Sequence, residues 1–404
     1  MTSRDHDVIL HGATGFVGRL TAHHLAAYAG EARVALSGRS KDKLLALREE
    51  LGVDWPVFVT DAADAGSLAE LAASTTAVAT TVGPFAKHGL PLVRACAKTG
   101  TSYADLTGEV LFVRDSAAAA HDQARETGAR IVHAAGFDSV PSDLGVLLLH
   151  ERVVADGEGT LEETALLLVS MRGGVSGGTI DSMRTQVDIV KADPALGRVL
   201  SDPYALSPDR TAEPDLGPED EARLPTHDPL LGRWVAPFVM APFNTRVVRR
   251  SNALQDHAYG PGFRYREVMG VGRSPVAPVL AGVVAAGLSG LAAGMGFPPT
   301  RLLLDRVLPK PGSGPAEKGR RGGHFRLEVH TRTSTGARYV ATVAARGDPG
   351  YAGTAVMLGE SALCLGLDTL PSVGGVLTPA VAMGEHLAAR LRARGFELSV
   401  SRTF

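Results

Sequence analysis

Cysteine is nearly absent: Cys96 and Cys364 are the only two in 404 residues, and they lie far apart. That excludes a disulfide framework and the paired spacing of a zinc site, so no metal ligands are assigned and a reducing, cytoplasmic setting is expected. A surplus of charge is missing as well. The chain carries 41 Lys and Arg against 43 Asp and Glu, a formal charge of -2, and only 5% of its residues are aromatic. Without a basic stripe interleaved with aromatics, nucleic acid is not an expected partner. Arg4, Asp5, His6 and Asp7 precede a short apolar run, which is not the order of a secretory signal, and export is not expected. Internal repeats and low-complexity tracts are lacking. The length exceeds what one ordinary core holds, so two domains are expected.

What is present begins with Val8-Ile9-Leu10-His11-Gly12-Ala13-Thr14-Gly15-Phe16-Val17-Gly18. An apolar run ending in three evenly spaced glycines, followed by an amphipathic stretch to Tyr28, reads as strand, tight turn and helix. This is the pattern of a dinucleotide cradle, in the spacing GxxGxxG. Gly12 permits the turn, a side chain at Gly15 would block the pyrophosphate, and Gly18 lets the helix pack on the strand. The helix N-terminus offers N–H groups to the phosphates. Gly12, Ala13, Thr14, Gly15, Phe16 and Val17 are therefore candidate cofactor-binding residues.

A second apolar strand ends in Ser37-Gly38-Arg39-Ser40. An NAD site carries an acidic residue here for the ribose 2′-hydroxyl; Arg39 and Ser40 suit a 2′-phosphate, which makes NADP(H) the expected cofactor. Asp61, at the end of the next strand, either meets the adenine or caps the following helix. The run 77–82 breaks at Gly83-Pro84, and Val82, Gly83 and Pro84 are expected along the nicotinamide ribose. Two later strand ends carry Tyr103 with Asp105, and Asp138 with Ser139; Tyr103 and Asp138 are the candidate catalytic residues. Strand and helix alternate up to this point. The fold class is therefore α/β, an N-terminal Rossmann-like doubly wound parallel sheet with a second α+β domain.

Beyond it, Gly174 to Gly178 matches GxSxG, the elbow of a serine hydrolase, but no Asp and His partners can be assigned, and a glycine-rich turn is the preferred reading. The stretch 202–233 is rich in proline and acidic residues and reads as a long loop or lid. Arg246, Arg249 and Arg250 form a group suited either to an anion or to a solvated face. The segment 274–300 has no charged residue, between Arg273 and Arg301. It is long enough to span a bilayer, yet peripheral attachment to the plasma membrane or an acyl-lined pocket ranks above a full span. Thr378-Pro379 reads as the cap and first residue of a helix running to Arg394.

GATGFVG, SGRS, TVGPF, YADLTGE, GFDSVPSDLG, APFNTRVVRRS and GGVLTPA, in this order, resemble the saccharopine dehydrogenase-like oxidoreductases, in particular the trans-acting enoyl reductase branch. The resemblance spans most of the chain. It implies an NADP-binding domain (1–145), a substrate-side α+β domain (146–350) and C-terminal helices (351–404) packing back on the first domain. It also implies a role in lipid or glycolipid synthesis. The expected activity is NADPH-dependent reduction of an unsaturated acyl or polyketide chain, delivered by another enzyme on a carrier protein. Two rivals remain: an imine reductase of the saccharopine type, and a non-catalytic NADP-binding protein on a lipid surface. Oligomeric state is not legible in the sequence.

Overall fold

The computed structural model describes residues 4–174, 176–217, 224–307, 314, 317 and 322–403. Its first half alternates strand and helix: β1 (His6–His11), α1 (Phe16–Tyr28), β2 (Val34–Gly38), α2 (Lys41–Leu51), β3 (Val57–Val59), α3 (Ala65–Ala73), β4 (Thr75–Thr80), α4 (Phe85–Thr99), β5 (Ser102–Ala104), α5 (Val110–Thr127) and β6 (Arg130–Val132). The strands pair in parallel, with β1 between β2 and β4 and Ile9 level with Ala35 and Val78. They are continuous apolar runs because helices cover both faces of the sheet. Val8, Leu10 and Leu36 pack on one side with Leu25 of α1; Ile9, Val78 and Ile131 pack on the other with Leu71, Leu92 and Phe112.

Helix α6 (Val140–Ala155) leaves the carboxyl edge of this sheet and spans the expected boundary at 145. It packs against a second seven-stranded sheet. The elements that follow are β7 (Leu161–Arg172), α7 (Gly177–Ala192), α8 (Leu196–Ser201), β8 (Thr226–Asp228), β9 (Arg233–Pro237), α9 (Ala241–Leu254), β10 (Arg264–Gly272), α10 (Ala277–Gly296), α11 (Pro298–Val307), β11 (His324–Thr333) and β12 (Arg338–Arg346). In β11, Phe325, Leu327, Val329 and Thr331 are buried while their neighbours are half-buried or exposed. That period of two is the mark of a sheet with one face on a core. Within the expected lid, 218–223 lie outside the described residues. The rest is more than a loop: Tyr204 and Leu206 are buried, and β8 pairs with β9.

The C-terminal stretch returns to both sheets. After a π-helical turn at Pro349–Gly353 come α12 (Thr354–Leu367), β13 (Gly375–Leu377), α13 (Pro379–Ala382), α14 (Gly384–Ala393) and β14 (Glu397–Thr403). Helix α12 packs on α1, β1 and β4. Strand β13 adds to the first sheet beside β6, and β14 adds to the second beside β12. The final helix differs from the uninterrupted one expected. Thr378 does cap its start, accepting from Val381 N at 3.4 Å, but the helix breaks where Gly384 takes φ +47 and leaves α13 and α14 separate.

Candidate functional site

The glycine turn after β1 has the shape a dinucleotide requires. Gly12 sits at φ +80, a region that disfavours any residue with a Cβ. A Cβ on Gly18 would lie 2.2 Å from the Gly12 carbonyl oxygen, so only glycine lets α1 approach the turn this closely. Gly15 is exposed at the N-terminus of α1, where it makes no side-chain cap hydrogen bond and the first turn carries no acidic residue. A helix N-terminus without an acidic residue in its first turn, beside a glycine that leaves room for a pyrophosphate, suits the phosphates of NADP(H), so the cradle fits the cofactor. Ala13 is buried and Thr14 half-buried within the same turn. Below it, the His11 ring meets Ser37 Oγ at 3.0 Å, and burial lowers its pKa to about 4, leaving a neutral imidazole under the cradle.

Arg39 and Ser40 follow β2 at the same sheet edge. Arg39 is exposed, with no hydrogen bond or ion pair among the described residues, while Ser40 caps α2, accepting from Lys43 N at 3.5 Å. Asp61 closes a turn by accepting from Ala63 N at 2.9 Å; the cap of α3 is Asp64 instead. Val82, Gly83 and Pro84 form the break after β4, with a cis bond between Gly83 and Pro84. Thr81 Oγ1 ties this break to the glycine turn through the Gly12 carbonyl at 3.0 Å.

The buried Glu109 accepts from Phe85 N at 3.0 Å and Ala86 N at 2.8 Å, capping α4 right after the break. It also accepts from Ser182 Oγ on α7 at 2.7 Å, joining the two halves of the molecule. Burial raises its pKa. Sequence reading missed Glu109; its one signal was a carboxylate placed just before a helix, which carries no hint of a partner so far along the chain.

The two candidate catalytic residues separate. Asp138 lies on the wall of a cavity of about 970 Å³ that starts at Gly15, Phe16 and Val17. It makes no hydrogen bond among the described residues, and burial raises its pKa to about 7, the range of a working acid or base. Tyr103 does not reach this cavity. It is fully buried, donates to Asp105 Oδ2 at 2.9 Å, and burial raises its pKa well above the ordinary value. The expectation of a catalytic Tyr103 is therefore corrected to one of support. Asp105 also accepts from Thr107 N, from Ala134 N at 3.0 Å and from His133, whose other nitrogen meets Ser116 Oγ. Ala134 sits at φ +59, and Asp105 holds its amide there, fixing the turn that carries Asp138. Thr354 of α12 holds the next turn through Phe137 N at 3.2 Å.

From Asp138 the cavity continues between Met183, Val187 and Val190 of α7, Phe243 of α9 and Leu288, Leu291 and Met295 of α10. These side chains are apolar, though Asp181, Gln186, Lys191 and Arg246 line the cavity too, and Phe16 stands edge-on to Tyr351 at 5.1 Å near its start. The arginine group does not form a solvated face. All three are buried, and they donate to carbonyl oxygens: Arg246 to Pro242 and Leu200, Arg249 to Pro203 and Tyr265, Arg250 to Leu206 and Val376. Burial lowers Arg250 to about 10. Ser176, the serine of GxSxG, lines the cavity but caps α7, accepting from Thr179 N at 3.0 Å.

The comparisons agree with this geometry. A family described as the saccharopine dehydrogenase NADP binding domain matches residues 8–132. A Mycobacterium tuberculosis protein provisionally named a trans-acting enoyl reductase is 51% identical over 416 residues, covering 99% of each chain. A Mycobacterium ulcerans protein named trans-acting enoyl reductase is 49% identical over 414 residues, covering 99% of this chain and 98% of its own. The chain belongs to the trans-acting enoyl reductase family. Like the domain it contains, this family member uses NADP(H), and it is an oxidoreductase. Its fold is shared with apo saccharopine dehydrogenase (L-Glu forming) from Saccharomyces cerevisiae, at a TM-score of 0.55 and 14% identity, covering 98% of this chain and 99% of that one.

Proposed function

We propose that this chain reduces the C2–C3 double bond of an unsaturated acyl or polyketide thioester, delivered on a carrier protein. NADPH supplies the hydride, which goes to C3 while the double-bond electron pair moves to the thioester oxygen and C2 then takes a proton. The observation that carries this reading is the continuity of one cavity from the phosphate cradle, past the buried carboxyl of Asp138, into a largely apolar channel. The amides of α1 bind the phosphates, and Arg39 answers the 2′-phosphate. The walls of α7, α9 and α10 exclude water and hold the alkyl chain. Asp138, its pKa raised by burial to about 7, gives its proton to C2.

The imine-reductase reading needs fixed cations for two or more carboxylates. Of the arginine group only Arg246 lines the cavity, where Lys191 is the other cation, and Arg246 already donates to the Pro242 and Leu200 carbonyl oxygens; two cations among mostly apolar side chains favour the acyl substrate. Absorbance at the nicotinamide band tests both, with a long-chain 2-enoyl thioester, free and on a carrier protein, and with lysine plus 2-oxoglutarate. The expected result is NADPH oxidation with the enoyl thioester, faster on the carrier, and none with the Gly15→Trp control. Turnover with the amino-acid pair alone would reverse the assignment. No turnover with either would favour the non-catalytic reading.

A further inference from the structure

In its first half, helix α10 turns small residues inward and larger ones outward. Its small residues Ala277, Ala281 and Ala285 are buried against the protein, while the larger Val279 is 70% exposed, Val283 64% and Leu280 49%. Val276, just before the helix, and Phe297, just after it, are exposed at 67% and 59%. A helix that served only the core of a protein in water would turn its largest aliphatic residues inward. Among the described residues it is the one helix long and apolar enough to cross a membrane, at a mean hydropathy of 1.8. Two facts oppose crossing. One stripe of the helix rests on β9 and β10 and lines the cavity, and Arg301, just beyond, is held by Asp188 of α7 at 2.5 Å.

The charges around the face point to its occupant. No carboxylate interrupts 274–300, the nearest charges along the chain on either side, Arg273 and Arg301, are both positive, and Arg273 and Arg306 are exposed. An apolar strip bordered by cations complements the hydrocarbon edge and headgroups of an anionic bilayer. We propose that the outer face of α10, from Val276 to Phe297, is a docking surface for an anionic lipid bilayer, on which the helix lies in the headgroup region without crossing it. The opposite side of the same helix supplies Leu288, Leu291 and Met295 to the cavity, so a docked molecule has only one helix between its apolar channel and the lipid. This surface stands on exposure, side-chain size and charge, and does not depend on the reaction proposed above.

The test is flotation of the full chain, loaded with NADPH, on vesicles of phosphatidylcholine alone and of phosphatidylcholine with one third phosphatidylglycerol. The unaltered chain is expected to float with the anionic vesicles and to be released by alkaline carbonate. The double variant Val279→Glu with Val283→Glu should bind them about tenfold more weakly or worse. Arg273→Glu should reduce the preference for anionic over neutral vesicles. Unchanged NADPH fluorescence titration shows that each variant is folded. Failure of the unaltered chain to float on either vesicle would overturn the proposal, as would vesicle-bound protein that resists carbonate. Light scattering supplies a further arm: a dimer that the double variant splits, with no flotation, would make this face a contact between two copies instead.

Discussion

The two seven-stranded sheets have the same strand count and opposite habits. The first is wholly parallel, packed on both faces, and brings its strand ends to one edge where the glycine turn, the Gly83-Pro84 break and Asp138 meet. The second is mixed and packs α6 on one face, while its neighbours α7, α9 and α10 build the apolar part of the cavity. Reaction chemistry gathers where strands end together; selectivity for an apolar substrate comes from helices that have no shared edge. A cofactor presents fixed phosphates that demand one backbone shape, whereas an alkyl chain accepts any apolar wall of adequate length.

The sharpest way to break the comparison is to fill the cradle. Gly15→Trp should abolish NADPH binding, weakening it by about a hundredfold or more in fluorescence titration, with far-UV circular dichroism unchanged. Binding that survives would move the cofactor away from the first sheet. Asp138→Asn follows: kcat is expected to fall by about a hundredfold, with NADPH affinity unaffected. With protonated Asp138 as the proposed proton donor, kcat of the native chain should be highest below pH 7 and decline as pH rises through about 7. A flat profile, or a variant with full kcat, would remove Asp138 from the chemistry. For Arg39→Asp the expected change is about tenfold weaker NADPH binding with NADH binding little altered. Equal loss for both cofactors would assign Arg39 a role outside 2′-phosphate recognition.

A weaker effect separates the halves by pH. Burial raises Asp143 to about 6 and Glu267 to about 7, from ordinary carboxylate values. Asp143 accepts from Ser251 and from Ala380 N, and Glu267 joins Asn244 and Tyr265, so both sit where α6 and α9 meet the second sheet. A raised folded-state pKa contributes stability that is complete below the ordinary carboxylate range and lost as pH climbs through the folded value. The urea midpoint should therefore drop between pH 5 and pH 8, and Glu267→Gln should reduce that slope. The smallest effect is expected from Tyr103→Phe, about 1 kcal/mol of stability with kcat nearly unchanged, since Asp105 keeps its other donors. A large loss of kcat would restore Tyr103 to the reaction.

The sequence made the cradle legible because glycine at Gly12 and Gly18 answers a backbone constraint local to eleven residues. The place of Asp138 beside the cavity was legible for a similar reason, since it stands in a turn at a strand end. Tyr103 misled because a strand of three residues gives no reading of which face its middle side chain takes, and Tyr103 lies in a network with Asp105, His133 and Ser116 away from the cavity. That network has the residue types and contacts of a hydrolase triad, but all its members are buried, so it serves as scaffold. The arginine group misled because charge in sequence does not show whether nearby carbonyl oxygens will meet it. Likewise the uncharged run announced an apolar helix, while the inward turn of its alanines depends on β9 and β10, which no local pattern encodes.

The last fifty residues brace the two halves further. Strand β13 closes the edge of the first sheet beside β6, and α12 covers β1 and β4, before β14 crosses to the second sheet. A fragment ending near residue 145 would keep every phosphate-binding residue and still be crippled. It would present the β6 backbone as an unpaired ribbon and an uncovered apolar seat where α12 had rested, both invitations for copies to stick to one another. For this protein the means of holding its coenzyme is written in the first sheet's early turns, and the covering that keeps that sheet from sticking to its copies is written far along the chain, in α12 and β13.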